Sequence, residues 1–176
     1  MESSSRKFLL EGRPGVGKTT TAEGVAARVQ EAGVPLSGFV TREIRRGGKR
    51  LGFSIVTFDG RRGTLAHVDL PGPPRVSRYG VDLAVLDRLA VPAMALPKDD
   101  GVVILDELGK MELASERFRE AATGLFDSSS TVVATVQRAR HPLTDALKRR
   151  SDIEMVQVTH RNREQLPERL AALVLA

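Results

Sequence analysis

A glycine-rich segment near the amino terminus has the residue types and spacing of a phosphate-binding loop. It reads Gly-Arg-Pro-Gly-Val-Gly-Lys-Thr-Thr. Glycines let a backbone approach an anion closely, and consecutive N–H groups of such a loop point inward at phosphate oxygens. We therefore expect the segment to bind the phosphates of a nucleotide through Gly12, Arg13, Pro14, Gly15, Val16, Gly17, Lys18, Thr19 and Thr20.

Lys18 and Thr19 carry the chemistry of this loop. A lysine in this position reaches the β- and γ-phosphates, and the hydroxyl that follows it binds Mg²⁺. Taken alone, the pattern also fits an ordinary glycine turn with a surface lysine. However, an apolar run at residues 8–10 precedes it and residues 20–30 have helical character. A strand before and a helix after are what a nucleotide-binding loop requires.

Two carboxylates, Asp106 and Glu107, follow a second apolar run, Val-Val-Ile-Leu at residues 102–105. An apolar run without alternation is typical of a parallel strand buried on both faces. Ligands of open α/β sheets bind at the carboxyl ends of the strands. We therefore expect Asp106 to hold Mg²⁺ and Glu107 to polarise the water that attacks the γ-phosphate. A strand that ends in a polar turn is the plainer interpretation of the pair alone.

Further polar residues follow the strand predicted at residues 131–136. Thr135 and Gln137 could sense the γ-phosphate or orient water, or could merely end the strand. The basic segment 138–150 begins on the same side of the sheet. It could form a lid in which Arg138 or Arg140 reaches the transferring phosphate, or it could be a solvated helix.

The loop after the last predicted strand, residues 154–159, commonly borders the nucleotide base in folds of this class. Asn162 could hydrogen-bond the base, and Arg163 could stack on it. Alternatively, Asn162 could cap the closing helix predicted over residues 164–175. Both interpretations stay open at this point.

The order of the elements predicts a three-layer α/β fold with a mainly parallel sheet, in a single domain that spans residues 1–176. The β-rich section 38–68, with Gly47 and Gly48 at its turn, predicts an antiparallel hairpin inserted at one edge. We expect a loop at residues 69–75 and a helix over residues 81–89 that ends or kinks near Pro92.

Composition excludes several classes of site. The chain has no Cys, which excludes disulfides and thiolate chemistry. Its start lacks a signal-peptide pattern, and no apolar run is long enough to span a bilayer, so we expect a cytoplasmic monomer without membrane contact. A net charge of +5 allows nucleic acid as a partner but does not favour it, because aromatic residues for stacking are scarce. The basic hairpin tip, which comprises Arg45, Arg46, Lys49 and Arg50, is either solvated or a contact with a substrate or partner.

Together these motifs resemble the small P-loop nucleoside-triphosphatases first described from thermophiles (THEP type), also called the cancer-related nucleoside-triphosphatase family. The resemblance covers almost the whole chain. Its most specific parts are Asp-Glu-Leu-Gly-Lys-Met-Glu-Leu at residues 106–113 and Gly-Phe-Val-Thr-Arg-Glu at residues 38–43. The pairs at 52–53 and 162–163 and the run at 78–81 also match.

The resemblance implies a RecA-like core of the additional-strand, catalytic-glutamate class, with the strand ending at Thr135 between the phosphate-loop strand and the Asp106 strand. It implies hydrolysis of ATP, GTP and other nucleoside triphosphates with broad base tolerance. Lys110 and Glu112 are implied to lie near the site, without a role. Two alternatives remain: a nucleoside, nucleotide or polynucleotide kinase, and a nucleotide-gated nucleic-acid-binding module.

Overall fold

The computed structural model of the chain describes residues 6–176, in which nine strands form one sheet. The start of the chain, on which the signal-peptide prediction rests, lies partly outside these residues. In chain order the strands are β1 (Lys7–Glu11), β2 (Leu36–Arg46), β3 (Lys49–Thr57), β4 (Arg62–His67), β5 (Arg75–Val76), β6 (Tyr79–Val81), β7 (Val102–Leu108), β8 (Thr131–Val136) and β9 (Ile153–Gln157). Their order across the sheet is β5-β6-β4-β3-β2-β7-β8-β1-β9.

Helices cover both faces of the sheet, which gives the predicted three layers. They are α1 (Lys18–Glu31), α2 (Leu83–Val85), α3 (Val91–Ala93), α4 (Glu116–Asp127), α5 (Pro142–Lys148) and α6 (Leu166–Val174). Helices α1 and α6 pack with Phe8 and Leu10 in one core. Helices α4 and α5 and the helical segment 83–93 pack with Leu9 in the other. Because side chains alternate along a strand, one strand supplies both cores.

The half of the sheet that contains β1 is parallel. Strand β1 lies between β8 and β9, and β7 lies between β8 and β2. The strand that contains Thr135 is therefore inserted between the phosphate-loop strand and the Asp106 strand, as the resemblance implied. The carboxyl ends of these strands meet at one edge, where the predicted site residues lie.

Strand β2 belongs to both halves of the sheet. Residues 36–39 pair with β7 in parallel, and residues 39–46 pair with β3 in antiparallel fashion. The hairpin turn at Gly47 and Gly48 is confirmed, with positive φ at both residues. The first strand of the predicted antiparallel hairpin is therefore continuous with a strand of the parallel half. Gly38 is required at the crossing point, because a Cβ there would lie 1.9 Å from the carbonyl oxygen of Ile104.

The structure differs from the sequence prediction at three short elements. Strands β5 and β6 were missed, because two or three residues are too short to show a period. The helical segment predicted to stop near Pro92 continues through a π-helical stretch, Leu86–Ala90, to Ala93. Pro167 lies in the first turn of α6, where its missing N–H leaves no intrahelical hydrogen bond unmade. Within residues 6–176, no helix combines the length and the apolar character that crossing a membrane requires.

Candidate active site

The glycine-rich loop, residues 12–17, connects β1 to α1 at the carboxyl edge of the parallel strands. Gly15 and Gly17 have φ of +77° and +115°, a left-handed conformation that disfavours any side chain. Gly17 is also the N-cap residue of α1. Lys18 Nζ donates a hydrogen bond of 3.2 Å to the Gly12 carbonyl and so closes the loop. The loop thus has the open N–H groups and the helix start that bind an anion.

Asp106 lies near the end of β7 and is 1% exposed. The Thr135 hydroxyl, on β8, donates a 2.6 Å hydrogen bond to Asp106 Oδ1, and the Thr41 hydroxyl, on β2, lies 3.4 Å from Oδ2. Burial raises the pKa of Asp106, and the hydrogen bonds from Thr135 and Thr19 act to lower it. The neighbouring strands on both sides therefore hold this carboxylate in place.

Glu107 lies beside Asp106 at the mouth of the loop, and the peptide bond that joins the two residues is cis. Its Oε2 lies 3.4 Å from Lys18 Nζ. Burial raises the pKa of Glu107, the charge of Lys18 lowers it, and the charge of Asp106 raises it further. The two predicted catalytic residues, Lys18 and Glu107, are thus brought together by the fold.

The donor set at this point fits a Mg²⁺ ion that arrives with a nucleotide. Thr19 and Asp106 line the same cleft, and the Thr19 side chain acts to lower the pKa of Asp106, so the two groups lie close together. Mg²⁺ in nucleotide sites is held by one or two protein groups, with phosphate oxygens and waters as the other ligands. Residues 6–176 contain no cluster of three or more His, Asp or Glu that would hold a metal alone. Thr19 and Asp106 therefore suit a metal shared with a triphosphate.

The site opens into a cleft of about 790 Å³ between the phosphate loop and the β2–β3 hairpin. Its hairpin wall includes Thr41, Arg42, Arg50 and Phe53. Of these, the sequence singled out only Arg50, as part of the basic hairpin tip. The available signal was the Thr-Arg-Glu run of residues 41–43, which carried part of the family resemblance. A cleft of this size with polar groups at one end suits a nucleotide.

A smaller side cavity of about 230 Å³ adjoins the cleft at Glu107. Glu112 and Lys110 line it, so the structure places both near the site as the resemblance implied. Glu112 lies in the 3₁₀ turn Glu112–Ala114 and is 4% exposed. Burial, followed by the charges of Glu107 and Asp106, raises the pKa of Glu112 to about 8. The other walls of the side cavity are largely apolar, with Phe53, Leu65, Val76 and Met111.

The four residues predicted as a possible sensor or lid do not all lie in the cleft. Thr135 is fully buried and donates to Asp106, so in this structure it supports that carboxylate. Gln137 borders both the cleft and the side cavity, and Arg138 lines the cleft. Arg140 pairs with Asp145 at 3.2 Å. The site therefore receives Gln137 and Arg138 from this segment, whereas Arg140 contacts α5.

The loop after β9 packs on the phosphate loop through Arg163, which donates a 3.3 Å hydrogen bond to the Val16 carbonyl. Asn162 is engaged within its own loop. Its Oδ1 accepts from the Thr159 N–H at 2.8 Å, and its Nδ2 donates to the Gln157 carbonyl at 2.7 Å. It does not cap α6, whose N-cap residue is Gln165. In this structure the Asn162 side chain therefore bonds to the backbone of its own loop.

Comparisons with known proteins agree with this geometry. The family model for NTPase matches residues 7–171. The nucleoside-triphosphatase THEP1 of Thermotoga maritima is 42% identical over 161 residues, which cover 91% of this chain and 90% of that protein. The human cancer-related nucleoside-triphosphatase is 36% identical over 176 residues, which cover 92% and 93%.

Two solved structures have the same fold. The crystal structure of THEP1 from Aquifex aeolicus matches with a TM-score of 0.85 and 31% identity, over 97% of this chain and 99% of that one. The solution structure of a human cancer-related nucleoside triphosphatase matches with a TM-score of 0.82 and 35% identity, over 96% and 97%. The chain therefore belongs to the NTPase family of THEP1 and the cancer-related nucleoside-triphosphatases.

Proposed function

We propose that this protein hydrolyses ATP, GTP and other nucleoside triphosphates to the diphosphate and phosphate, with Mg²⁺ and with broad tolerance of the base. The observation that carries the proposal is the position of Glu107, whose carboxylate lies 3.4 Å from the loop lysine Lys18. Its relatives are named nucleoside-triphosphatases, which supports the same reaction.

The reaction uses groups that the fold has already placed. The loop N–H groups and Lys18 stabilise the negative charge that develops on the γ-phosphate. Lys18 must leave Glu107 to contact the phosphates, which frees the Glu107 carboxylate to accept a hydrogen bond from the attacking water. Because burial raises the pKa of Glu107, this carboxylate is a stronger base than an exposed one. Gln137, at the border of the cleft, is suited to orient the same water.

Thr19 and Asp106 are the residues that would hold Mg²⁺. Once bound, the ion would neutralise charge on the β- and γ-phosphate oxygens. Thr135 and Thr41 keep the Asp106 carboxylate oriented toward this position.

Broad base tolerance is supported by the loop that follows β9. Asn162, which could have read a base edge, bonds to the backbone of Thr159 and Gln157 instead. Arg163 is exposed and offers a planar guanidinium, which can stack on any base. A site that binds mainly phosphates discriminates poorly among bases.

The direct test is phosphate release from ATP, GTP, CTP and UTP, with Mg²⁺ and with a chelator. We expect all four to be hydrolysed with Mg²⁺, at kcat/KM values within about tenfold of each other, a spread of only about 1.4 kcal/mol. A chelator should abolish release. Hydrolysis of one nucleotide alone would contradict base tolerance, and full activity with the chelator would contradict the metal requirement.

A kinase is a second candidate, and the side cavity favours it. Hydrolysis needs one water, which occupies about 30 Å³, whereas the cavity beside Glu107 measures about 230 Å³. An acceptor hydroxyl held there would give its proton to Glu107 and receive the γ-phosphoryl group. Labelled γ-phosphate should then appear on an added nucleoside or nucleotide. If all label is recovered as free phosphate in the presence of these acceptors, the kinase is ruled out for them.

A nucleic-acid-binding module is less consistent with the structure. Many of the basic side chains are paired with acids and so are already neutralised locally. These pairs are Arg42 with Glu23, Arg45 and Arg50 with Glu43, Arg140 with Asp145, and Arg150 with Asp127 and Asp152. We therefore expect no retention of DNA or RNA at about 0.15 M salt. Tight, salt-dependent binding under that condition would reinstate this candidate.

A further inference from the structure

Glu112 is a buried carboxyl group that the mechanism above does not use. It is 4% exposed and lies in the turn that follows β7. The backbone N–H groups of Glu112 and Gly109 act to lower the pKa of this carboxyl group, against the effect of burial, which raises it. In the part of the chain that the structure describes, no Lys, Arg or His forms an ion pair with Glu112. A buried acid without a cation is costly, so its retention needs a reason.

Glu112 and Glu107 border the same small space, which Gly109 keeps open. A Cβ on Gly109 would lie 2.7 Å from Glu107 Oε1 and 3.1 Å from Glu112 Oε2. Any side chain at residue 109 would therefore displace one of these oxygens. The φ angle of Gly109 is not positive, so glycine is needed here for space and not for its backbone conformation.

Two carboxylates that share a small space are not both charged without an electrostatic penalty. Glu112 is the more deeply buried of the two, and burial raises its pKa to about 8. Near neutral pH it is therefore the residue that keeps a proton. A neutral carboxyl group has one O–H donor. Glu107 Oε2 faces Lys18, and its Oε1 borders the space beside Gly109, where that donor would find an acceptor.

We propose that Glu112 is a positioning residue, whose neutral carboxyl group donates a hydrogen bond to Glu107 Oε1 and holds the water-directing carboxylate in place. The proposal rests on the proposed hydrolysis. In the free protein, Lys18 and Glu112 restrain Glu107 from two sides. When Lys18 turns to the phosphates, Glu112 is the restraint that remains. Hydrogen bonds of this kind often tighten only when the substrate is bound.

Two substitutions of similar shape separate hydrogen bonding from packing. Glu112→Gln keeps an N–H donor, and Glu112→Met removes it at nearly the same length. We expect Glu112→Gln to keep kcat within about threefold of wild type. Glu112→Met should lower kcat by about 30-fold to 100-fold, with KM within about threefold, since a positioning group acts in the transition state.

The melting temperature and the affinity for a fluorescent ATP analogue keep this test independent of folding. Among the described residues, Glu112 has no cationic partner that its removal would leave buried and uncompensated, so we expect Glu112→Met to fold and to bind the analogue normally. If Glu112→Met nevertheless fails to fold, Gly109→Ala replaces it. Its methyl group would displace Glu107 Oε1, and we expect the same loss of kcat at unchanged KM.

Three results would overturn the proposal. They are equal kcat values for Glu112→Gln and Glu112→Met, a loss that appears in KM alone, and a Gly109→Ala variant as active as wild type. Failure of the underlying hydrolysis has a different signature, since the wild-type protein would then release no phosphate from any triphosphate.

Discussion

Lys18 Nζ and Glu107 Oε2 lie 3.4 Å apart, so the loop lysine and the carboxylate that we propose directs water form an ion pair. In the proposed mechanism each group leaves the other to act. A triphosphate would then compete with Glu107 for the ammonium group of Lys18. Binding of the substrate and release of the carboxylate would be one event, and Glu107 would stay paired with Lys18 until a phosphate is bound.

The exchange of partners predicts the effect of Glu107→Gln. The amide cannot accept a proton from water, so kcat should fall by about 10²-fold to 10³-fold. The affinity for ATP should stay the same or rise, because the competing charge beside Lys18 is gone. Phosphate release and binding of a fluorescent ATP analogue measure the two effects. Glu154→Gln, on the exposed side of β9, is the matched control. Turnover within about threefold of wild type would remove Glu107 from its assigned role.

Replacing Thr135 tests the support of Asp106. Thr135→Val keeps the shape of the side chain but removes the hydroxyl that donates at 2.6 Å to the buried carboxylate. We expect a loss of about 1–3 kcal/mol in the free energy of unfolding. The Mg²⁺ concentration for half-maximal hydrolysis should also rise, since protons compete better for a less stabilised carboxylate. Urea unfolding and a Mg²⁺ titration measure these effects.

Thr131→Val is the control for that substitution. Thr131 is the first residue of the same strand, at the end away from Asp106. It should change stability by less than about 0.5 kcal/mol. Equal stability and an equal Mg²⁺ requirement for the Thr135 variant would show that Asp106 does not depend on this hydroxyl.

Glu112 predicts a pH dependence of stability. Burial raises the pKa of its carboxyl group from an ordinary value of 4.5 to about 8 in the folded protein. Between these values the unfolded chain releases the proton and the folded chain keeps it. The free energy of unfolding should therefore fall as pH rises across this window, at a rate that approaches about 1.4 kcal/mol per pH unit. The stability that the protonated Glu112 contributes is fully present below the pKa of the unfolded chain. It is lost as pH rises through the pKa of the folded protein.

Urea unfolding from about pH 5 to about pH 8 measures this slope for wild type and Glu112→Gln. The free energy of unfolding of wild type minus that of Glu112→Gln should fall as pH rises, because the carboxyl group titrates and the amide does not. Glu120→Gln, exposed on α4, should leave the slope unchanged. A pH-independent difference between wild type and Glu112→Gln would mean that Glu112 is already charged in the folded protein.

A pair of glycine substitutions separates loop geometry from helix propensity. Gly17 has φ of +115°, and a Cβ there would lie 3.4 Å from Arg163 Cδ. Gly17→Ala should therefore cost about 1–3 kcal/mol and weaken ATP binding. Gly124 lies in α4, where an added Cβ would meet no atom within 4 Å, so Gly124→Ala should gain about 0.5–1 kcal/mol and leave binding unchanged. Normal ATP affinity in Gly17→Ala would contradict the loop geometry.

Local rules were sufficient to predict the phosphate loop and the Asp106–Glu107 pair. The loop needs a strand, glycines and a helix in immediate succession, and all three are visible in one stretch of sequence. The strand at Thr131–Val136 was predicted with its observed bounds for a similar reason. A strand buried on both faces is a short, nearly continuous run of apolar residues, which is visible in the sequence.

The support around the site could not be predicted, because it depends on strand order. Thr41 and Thr135 are far apart in the chain and meet at Asp106 because β2 and β8 flank β7. Glutamate is a residue type that is usually exposed, so the sequence does not indicate that Glu112 is buried. Its burial is seen only in the folded structure. Arg50, predicted at a basic hairpin tip, donates instead to the Tyr79 hydroxyl at 3.0 Å.

The double membership of β2 has a mechanical consequence. The same strand pairs with the catalytic half of the sheet through residues 36–39, passes Thr41 beside Asp106, and ends at the exposed hairpin tip. Thr41 therefore joins the exposed tip and Asp106 through one continuous strand. A ligand that contacts the tip and an ion that Asp106 would hold would then both act on β2.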